Sequence, residues 1–562
     1  MKIINFNIKT IIEIFFVIIF LSTSPAKSLD KFDNANQVSD YFSGILLLNE
    51  NRYDDSLKYL KKLNGLESNH NNYSIKYLYS LINSGNLKEA FNYSRKLEKQ
   101  KLGSFESHLI TGVYYLKNSK IELAREYFLR AKNKNSRFIL DRFVANSLYN
   151  WSNIKTLNQS TKEIKNLDKR FDNLKQIQTV FLNCFFENVN TEKFFIEMTS
   201  NRNTDFSRYN YFYALFVASN GEIEKAKKIV DSALEFYPRN LLLNQYKINL
   251  REKKQNLTFN CKKEEHVISE ILYITANALS SQSIYSLSNF YLNLAKYLNQ
   301  NFHSYDTLLA ENFYKVENYE KAKKIYNNLS KKGEAFHWFS SKQIARIFLQ
   351  NENQSGALKF LSKSYNELLN KEIYETFDYA EFLKNNERFE EAIPFYTIVI
   401  EKVDKNHPLY VESTDGRGIA FERIGEWHKA EKDLLASLKA NPDQAYVINY
   451  LAYSWIEKGV KIKKSLSMLE KANKLRSNDP YITDSLGWAL FKLERYKEAK
   501  EYLQLAVKLM PADPIVNDHY GDVLWKNGNE IQARYYWNYV LKLEKTEDDL
   551  KKTIEEKLVK GL

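Results

Sequence analysis

The stretch that decides the fold is Asp479-Pro-Tyr-Ile-Thr-Asp-Ser-Leu-Gly-Trp488, followed by Tyr496-Lys-Glu-Ala499, Leu503-Gln-Leu-Ala506 and Pro511. An Asp-Pro pair opens it, the arrangement of a helix N-cap acceptor before a proline at the first helical position. Gly487, Ala499 and Ala506 then stand twelve and seven residues apart. Shifted forward by 34, the pattern returns as Asp513-Pro514, Gly521, Ala533 and Val540. Shifted backward it gives Tyr453, Ser465 and Ala472, and then, one residue out of step, Gly418, Ala430, Ser437 and Pro442. A fixed period near 34 is the signature of a helix–turn–helix solenoid. Small side chains recur because paired helices approach closely only where small residues face each other, while Leu, Tyr and Phe fill the space between pairs.

The frame extends through the chain. Its small residues fall at Ser56, Ala90, Ala124, Ala226, Ser288, Ala322, Ala357, Ala392, Ala430, Ser465, Ala499 and Ala533. The gap from Ala124 to Ala226 is three periods, so two degenerate units are expected around Asn158 and Glu192. The gap from Ala226 to Ser288 fits no whole number of periods, and 240–266 reads as an interruption. About fourteen helical pairs in two arrays result: 29–239, poorly matched at about 135–200, and 267–541. The segment 542–562 carries Leu550, Ile554 and Leu558 on one thin stripe and reads as a charged, solvating cap.

Composition agrees. A chain of 562 residues exceeds the roughly 250–300 at which single cores stop growing, and its 16 Gly and 8 Pro are too few for turn-rich β folds. With 44% apolar and 14% aromatic residues the chain buries cores instead of remaining disordered. The net charge of +13 comes with 64 Lys against 18 Arg and no run of five basic residues. Arg supplies the forks that phosphate and base recognition favour, so the excess reads as dispersed, solvating charge.

At the N-terminus, Lys2 and Lys9 precede an apolar run from Ile11 to Leu21, with Ser24-Pro25-Ala26-Lys27-Ser28 behind it. That order is a secretory signal peptide, 1–28, with cleavage expected after Ser28. An uncleaved anchor is the alternative. No Cys follows the run, so no lipobox is present and a soluble, exported, periplasmic chain is expected. Export makes nucleic acid an unexpected partner. Of the two cysteines, Cys184 lies in an apolar helical context and Cys261 in a polar one. An oxidising compartment would allow them to pair, but their assignment to different repeats weighs against a bridge.

The repeats resemble the tetratricopeptide repeat family, best at Leu486-Gly487 through Pro511 and also at Ala420 through Pro442 and Tyr520-Gly521 through Trp537. That resemblance implies an all-α, right-handed α-solenoid. Over roughly 380–540 the segments Arg417-Gly-Ile-Ala-Phe-Glu-Arg423, Asn449-Tyr-Leu-Ala-Tyr-Ser-Trp455, Asp484-Ser-Leu-Gly-Trp488 and Asn517-Asp-His-Tyr-Gly-Asp522 look like exported members from Gram-negative bacteria. Some of those are outer-membrane lipoproteins that act as adaptors for envelope proteases and cell-wall enzymes. The missing lipobox departs from that pattern.

No nucleophile elbow, phosphate loop, HExxH or paired-cysteine metal spacing is present, so no catalytic residue, metal or cofactor is expected. Asp518, His519 and Asp522 form the one tempting cluster; the plainer account packs His519 against its neighbour and turns the aspartates to solvent. Helical periodicity puts Asp484, Trp488 and Phe491 near Asp518, Asp522 and Trp525 on an inner face, with Tyr450, Arg417 and Arg423 extending the strip. Aromatic anchors among a few charges suit a peptide groove, and its acidic and aromatic character suits a basic or apolar partner segment. A non-enzymatic periplasmic scaffold or adaptor for an envelope protein, such as a periplasmic protease or cell-wall enzyme, is the expected function. A peptidoglycan-active solenoid enzyme and an assembly factor for outer-membrane components are the alternatives.

Overall fold

The computed structural model describes residues 35–134, 139–201, 204–254 and 258–562; the signal-like segment 1–28 lies outside the described residues. Among the described residues there are thirty α-helices and four short 3-10 turns, and no strand. They form fourteen helix pairs and two single helices, Leu241–Arg251 and Asp548–Lys560. No helix among them is long and apolar enough to cross a membrane.

The repeat frame has a direct structural cause. Each of the twelve small residues read from the sequence stands at the fourth position of the second helix of its pair, and each is completely buried. Across from them, Gly487 and Gly521 leave room for the partner helix. A Cβ on Gly487 would lie 2.6 Å from Leu503 Cγ, and one on Gly521 would lie 2.5 Å from the Trp537 indole nitrogen. The two degenerate pairs carry the second helices Leu157–Lys165 and Thr191–Thr199. In the first, the small buried residue is Ser160 and Asn158 is exposed, so the spacing was two residues off.

The chain divides into two compact units, Met1–Ser364 and Tyr365–Leu562. In the first, one apolar cluster runs from Leu48 to Ile347. Pairs distant in sequence also touch. Asn289 donates to the Tyr53 hydroxyl (3.1 Å), Asn83 donates to the Ser286 carbonyl (3.1 Å), and Lys117 donates to the Leu298 carbonyl (2.8 Å). The rings of Tyr79 and Phe290 meet edge to face. Solenoid repeats ordinarily touch only their neighbours; here the helices Glu264–Ser281 and Tyr285–Leu298 fold back against the first pairs. A buried Arg208 fork on Glu270 (2.7 and 2.9 Å), with the Tyr273 ring under the guanidinium, fixes the inner helix.

The segment 240–266 holds the Leu241–Arg251 helix and a connection that is less polar in space than in sequence. Phe259 is buried against Phe181 and Phe212. Thr258 accepts from Asn299 through its carbonyl (2.9 Å). Against the sequence-based expectation, Cys184 and Cys261 are joined in a disulfide with their Cα atoms 6.0 Å apart. The back-folding of the chain brings together segments that the linear repeat frame keeps separate.

The second unit is a simple stack with several small apolar clusters, each joining adjacent pairs. The Asp548–Lys560 helix starts 34 residues after the Pro514–Lys526 helix and so stands at the first-helix position of the next period. Ile554 takes the buried place of Leu486 and Tyr520. At the position of Gly487 and Gly521 it carries Glu555, which is exposed.

Candidate functional site

The face of interest is built from the first helices of the second unit. The Pro480–Lys492 and Pro514–Lys526 helices start as their sequences predict: Asp479 accepts from the Ile482 amide (3.2 Å) and Asp513 from the Val516 amide (3.1 Å). The Pro408–Arg423 helix uses His407 in the same role.

The aspartates do not face solvent. Asp484, Asp518 and Asp522 are 5%, 7% and 3% exposed, and each is taken by a cation on the next first helix. Asp484 meets His519 Nδ1 at 2.9 and 3.1 Å. Lys557, on the terminal helix, donates to Asp518 (2.6 Å) and to both oxygens of Asp522 (2.8 and 2.9 Å). Trp537 adds its indole N–H to Asp522 (3.0 Å). Burial alone would lower the pKa of His519, but the carboxylates of Asp484, Asp518 and Asp522 outweigh it and hold the imidazole above its ordinary value. Burial and the nearby Asp518 charge push Asp522 the other way from a normal ion-paired carboxylate, upward, against the pull of Lys557.

The remaining predicted groove residues divide. Trp488 is stacked between His519 (ring centroids 3.9 Å) and Phe491 (4.7 Å), and its N–H donates to Glu457 (2.7 Å). Arg417 forks onto Asp433 (2.7 and 3.0 Å) and donates to Thr397, which makes it a strut to neighbouring second helices. Tyr450, half-buried, donates to Glu422 (2.8 Å). Trp525 is half-buried beside Trp537, with Gly561 of the terminal helix against its ring. Arg423 is exposed. The structure thus joins Asp484 and Trp488 through His519, and Asp518 and Asp522 through Lys557; it leaves Arg423 free of that network.

Sequence reasoning missed Lys557 because a lysine in a strongly charged terminal helix gives no local sign of being buried. It also passed over Asp415 on the Pro408–Arg423 helix. Burial raises that carboxyl to about 6, with Lys384 opposing and Glu381 reinforcing, and its Oδ1 has no hydrogen-bond partner among the described residues. No cluster of His, Cys, Asp and Glu suited to a metal occurs among the described residues.

Residues 417–546 match the model of a tetratricopeptide repeat family. The chain is 30% identical over 123 residues to the TPR repeat-containing protein PA4667 of Pseudomonas aeruginosa, covering 22% of this chain and 20% of that protein. The chain therefore spans about a fifth of the length of that curated relative. A MamA structure from Desulfovibrio magneticus RS-1 aligns with 20% identity over 32% of this chain and 99% of its own, TM-score 0.28. The structure of YrrB, described as a TPR protein with an unusual peptide-binding site, aligns with 16% identity over 35% of this chain and 97% of its own, TM-score 0.28. Residues 417–546, where helix pairs, buried small residues and the family match coincide, form a tetratricopeptide-repeat region.

Proposed function

We propose that this protein is an exported scaffold or adaptor of the cell envelope, which holds a segment of another envelope protein along the first-helix face of its second unit and carries out no chemistry itself. The observation that carries the reading is the run of first helices from Pro408 to Lys560, which repeats one face at a fixed spacing across the family-matched region. A face of this kind suits an extended polypeptide better than a compact small molecule, because equivalent positions recur along a line. The signal-like order of residues 1–28 supports export, and the Cys184–Cys261 bridge supports an oxidising compartment.

The test uses a photoreactive amino acid at Tyr481 or Ile515, which are exposed on successive first helices, and at Tyr535, exposed on a second helix. Crosslinking in cells is expected to give a discrete protein adduct from Tyr481 and Ile515 and none from Tyr535. Equal adducts from all three, or none from any, would reject the face. Fractionation should place the chain in the periplasm with its N-terminus at Leu29; a chain retained in the cytoplasm overturns the export reading.

A further inference from the structure

The free charge of the first-helix face is opposite in sign to what its sequence suggests. The aspartates at 484, 518 and 522 are buried and paired with His519 and Lys557, which leaves another set of side chains to meet a partner. Arg423, Lys458, Lys492, Lys526 and Lys560 stand at one equivalent position, the end of each successive first helix, separated by 35 residues once and by 34 thereafter. All five are exposed. Lys458, Lys492 and Lys526 make no ion pair among the described residues, while Arg423 meets Glu422 at 3.8 Å and the Tyr450 hydroxyl of the next first helix, and Lys560 meets Glu556 of its own helix at 3.9 Å.

The carboxylates along this edge are largely spoken for. Glu422 accepts from Tyr450, Glu457 from Trp488, Glu426 pairs with Lys429, Glu498 with Arg495, and Glu530 with Arg534. Between Lys526 and the turn Glu494–Glu498 the surface opens into a hollow of about 520 Å³. Cation–dipole stabilisation at helix ends does not by itself account for the row, since the first helices Ile139–Ser152, Asp172–Phe185 and Ser207–Ser219 of the other unit carry no basic residue in their last turn.

We infer that this row binds an extended acidic polypeptide segment, which deepens the scaffold reading and rests on it. Packed helices lie roughly 8–10 Å apart, so five rungs span about 40 Å, the reach of about twelve residues of extended chain. The aromatic rings beside the row, Trp427 under Lys458 and Trp488 under Lys492, hold two of the ammonium groups in place from below without neutralising them.

The experiment measures binding of a fluorescently labelled twelve-residue oligoglutamate to the full chain, in low and physiological salt. Lys458→Glu/Lys492→Glu/Lys526→Glu is compared with Lys432→Glu/Lys439→Glu/Lys474→Glu, an equal charge change at exposed lysines of second helices. Circular dichroism first establishes that both variants are folded. Binding that weakens with salt, falls at least tenfold in the first variant and less than threefold in the second supports the row. Equal loss in both variants, or no binding by the unmodified chain, overturns it. So does stronger binding to heparin, single-stranded DNA or anionic phospholipid vesicles than to the peptide, dependent on the same three lysines, since the ligand class would then be different. If the cellular adduct from Tyr481 persists unchanged in the first variant, the row is wrong while the scaffold reading stands; if no adduct forms in either chain, the scaffold reading itself fails.

Discussion

At the scale of single residues, the second unit hides its charges in pairs whose loss should be measurable. Lys557 is the common counter-ion of Asp518 and Asp522, with all three side chains nearly buried. Removing one member of a buried ion pair typically costs about 3–5 kcal/mol, because the remaining charge is left uncompensated. Lys557→Met is therefore expected to destabilise the second unit by about that amount, and adding Asp518→Asn with Asp522→Asn to restore most of it. Five of the seven tryptophans lie in this unit, so fluorescence-detected denaturant unfolding reads the effect. Asp415 makes the opposite prediction. Its folded pKa of about 6 lies above the ordinary aspartate value, so the folded state holds the proton more tightly. The stability this confers is present below about pH 4 and is lost as pH rises through 6, by up to about 3 kcal/mol. Asp415→Asn should remove that slope and raise the unfolding midpoint at pH 7.5 relative to pH 4.5; an unchanged pH profile would reject the assignment. His519 works in the usual direction for a paired histidine. Its raised pKa gives stability that is full below about pH 6.5 and fades as pH rises through the folded value, and Asp484→Asn, which removes the largest of the three carboxylate contributions, should weaken that dependence.

At the scale of the helix pair, the glycine position sets how closely the second helix approaches the first. In the Pro514–Lys526 helix a Cβ at 521 would strike the Trp537 indole, and its carbon neighbours give little freedom to yield. Gly521→Ala should cost about 1–3 kcal/mol through overpacking, more than the roughly 1 kcal/mol that alanine gains in helix propensity. The change at the equivalent position of the Asp548–Lys560 helix, Glu555→Ala, falls on an exposed side chain and should stay within about 0.5 kcal/mol. Thermal unfolding of the two variants side by side checks the contrast. The pattern of glycine and small residue was fully legible in sequence because it reflects contact within one pair of neighbouring helices. Which acid faced which base was not, because Asp484 to His519 and Asp518 to Lys557 are contacts between successive pairs.

At the scale of the whole molecule, the disulfide and the back-folding of the first unit belong together. The bridge closes a loop of 77 residues. In the chain-entropy picture a loop of that size stabilises by about 4 kcal/mol. Cys184→Ser with Cys261→Ser should shift unfolding of the first unit by an amount of that order, read by hydrogen exchange, and leave the tryptophan-reported transition of the second unit in place. A shift in both transitions would show that the bridge does not act on the first unit alone.

The sequence by itself determined the helical class, the period and the twelve buried small residues, since each follows from short-range packing between helices adjacent in the chain. It also contained the row from Arg423 to Lys560, at the same period, unread because cations in a lysine-rich chain look like solvation. Tertiary structure alone decided that Cys184 meets Cys261, that Tyr285–Leu298 packs on the first helices of its unit, and that the aspartates of the predicted groove are buried. Those outcomes depend on the angle at which each pair settles on the next. Small differences in that angle, accumulated over many pairs, carry distant segments into contact, and no local pattern of residues records the sum.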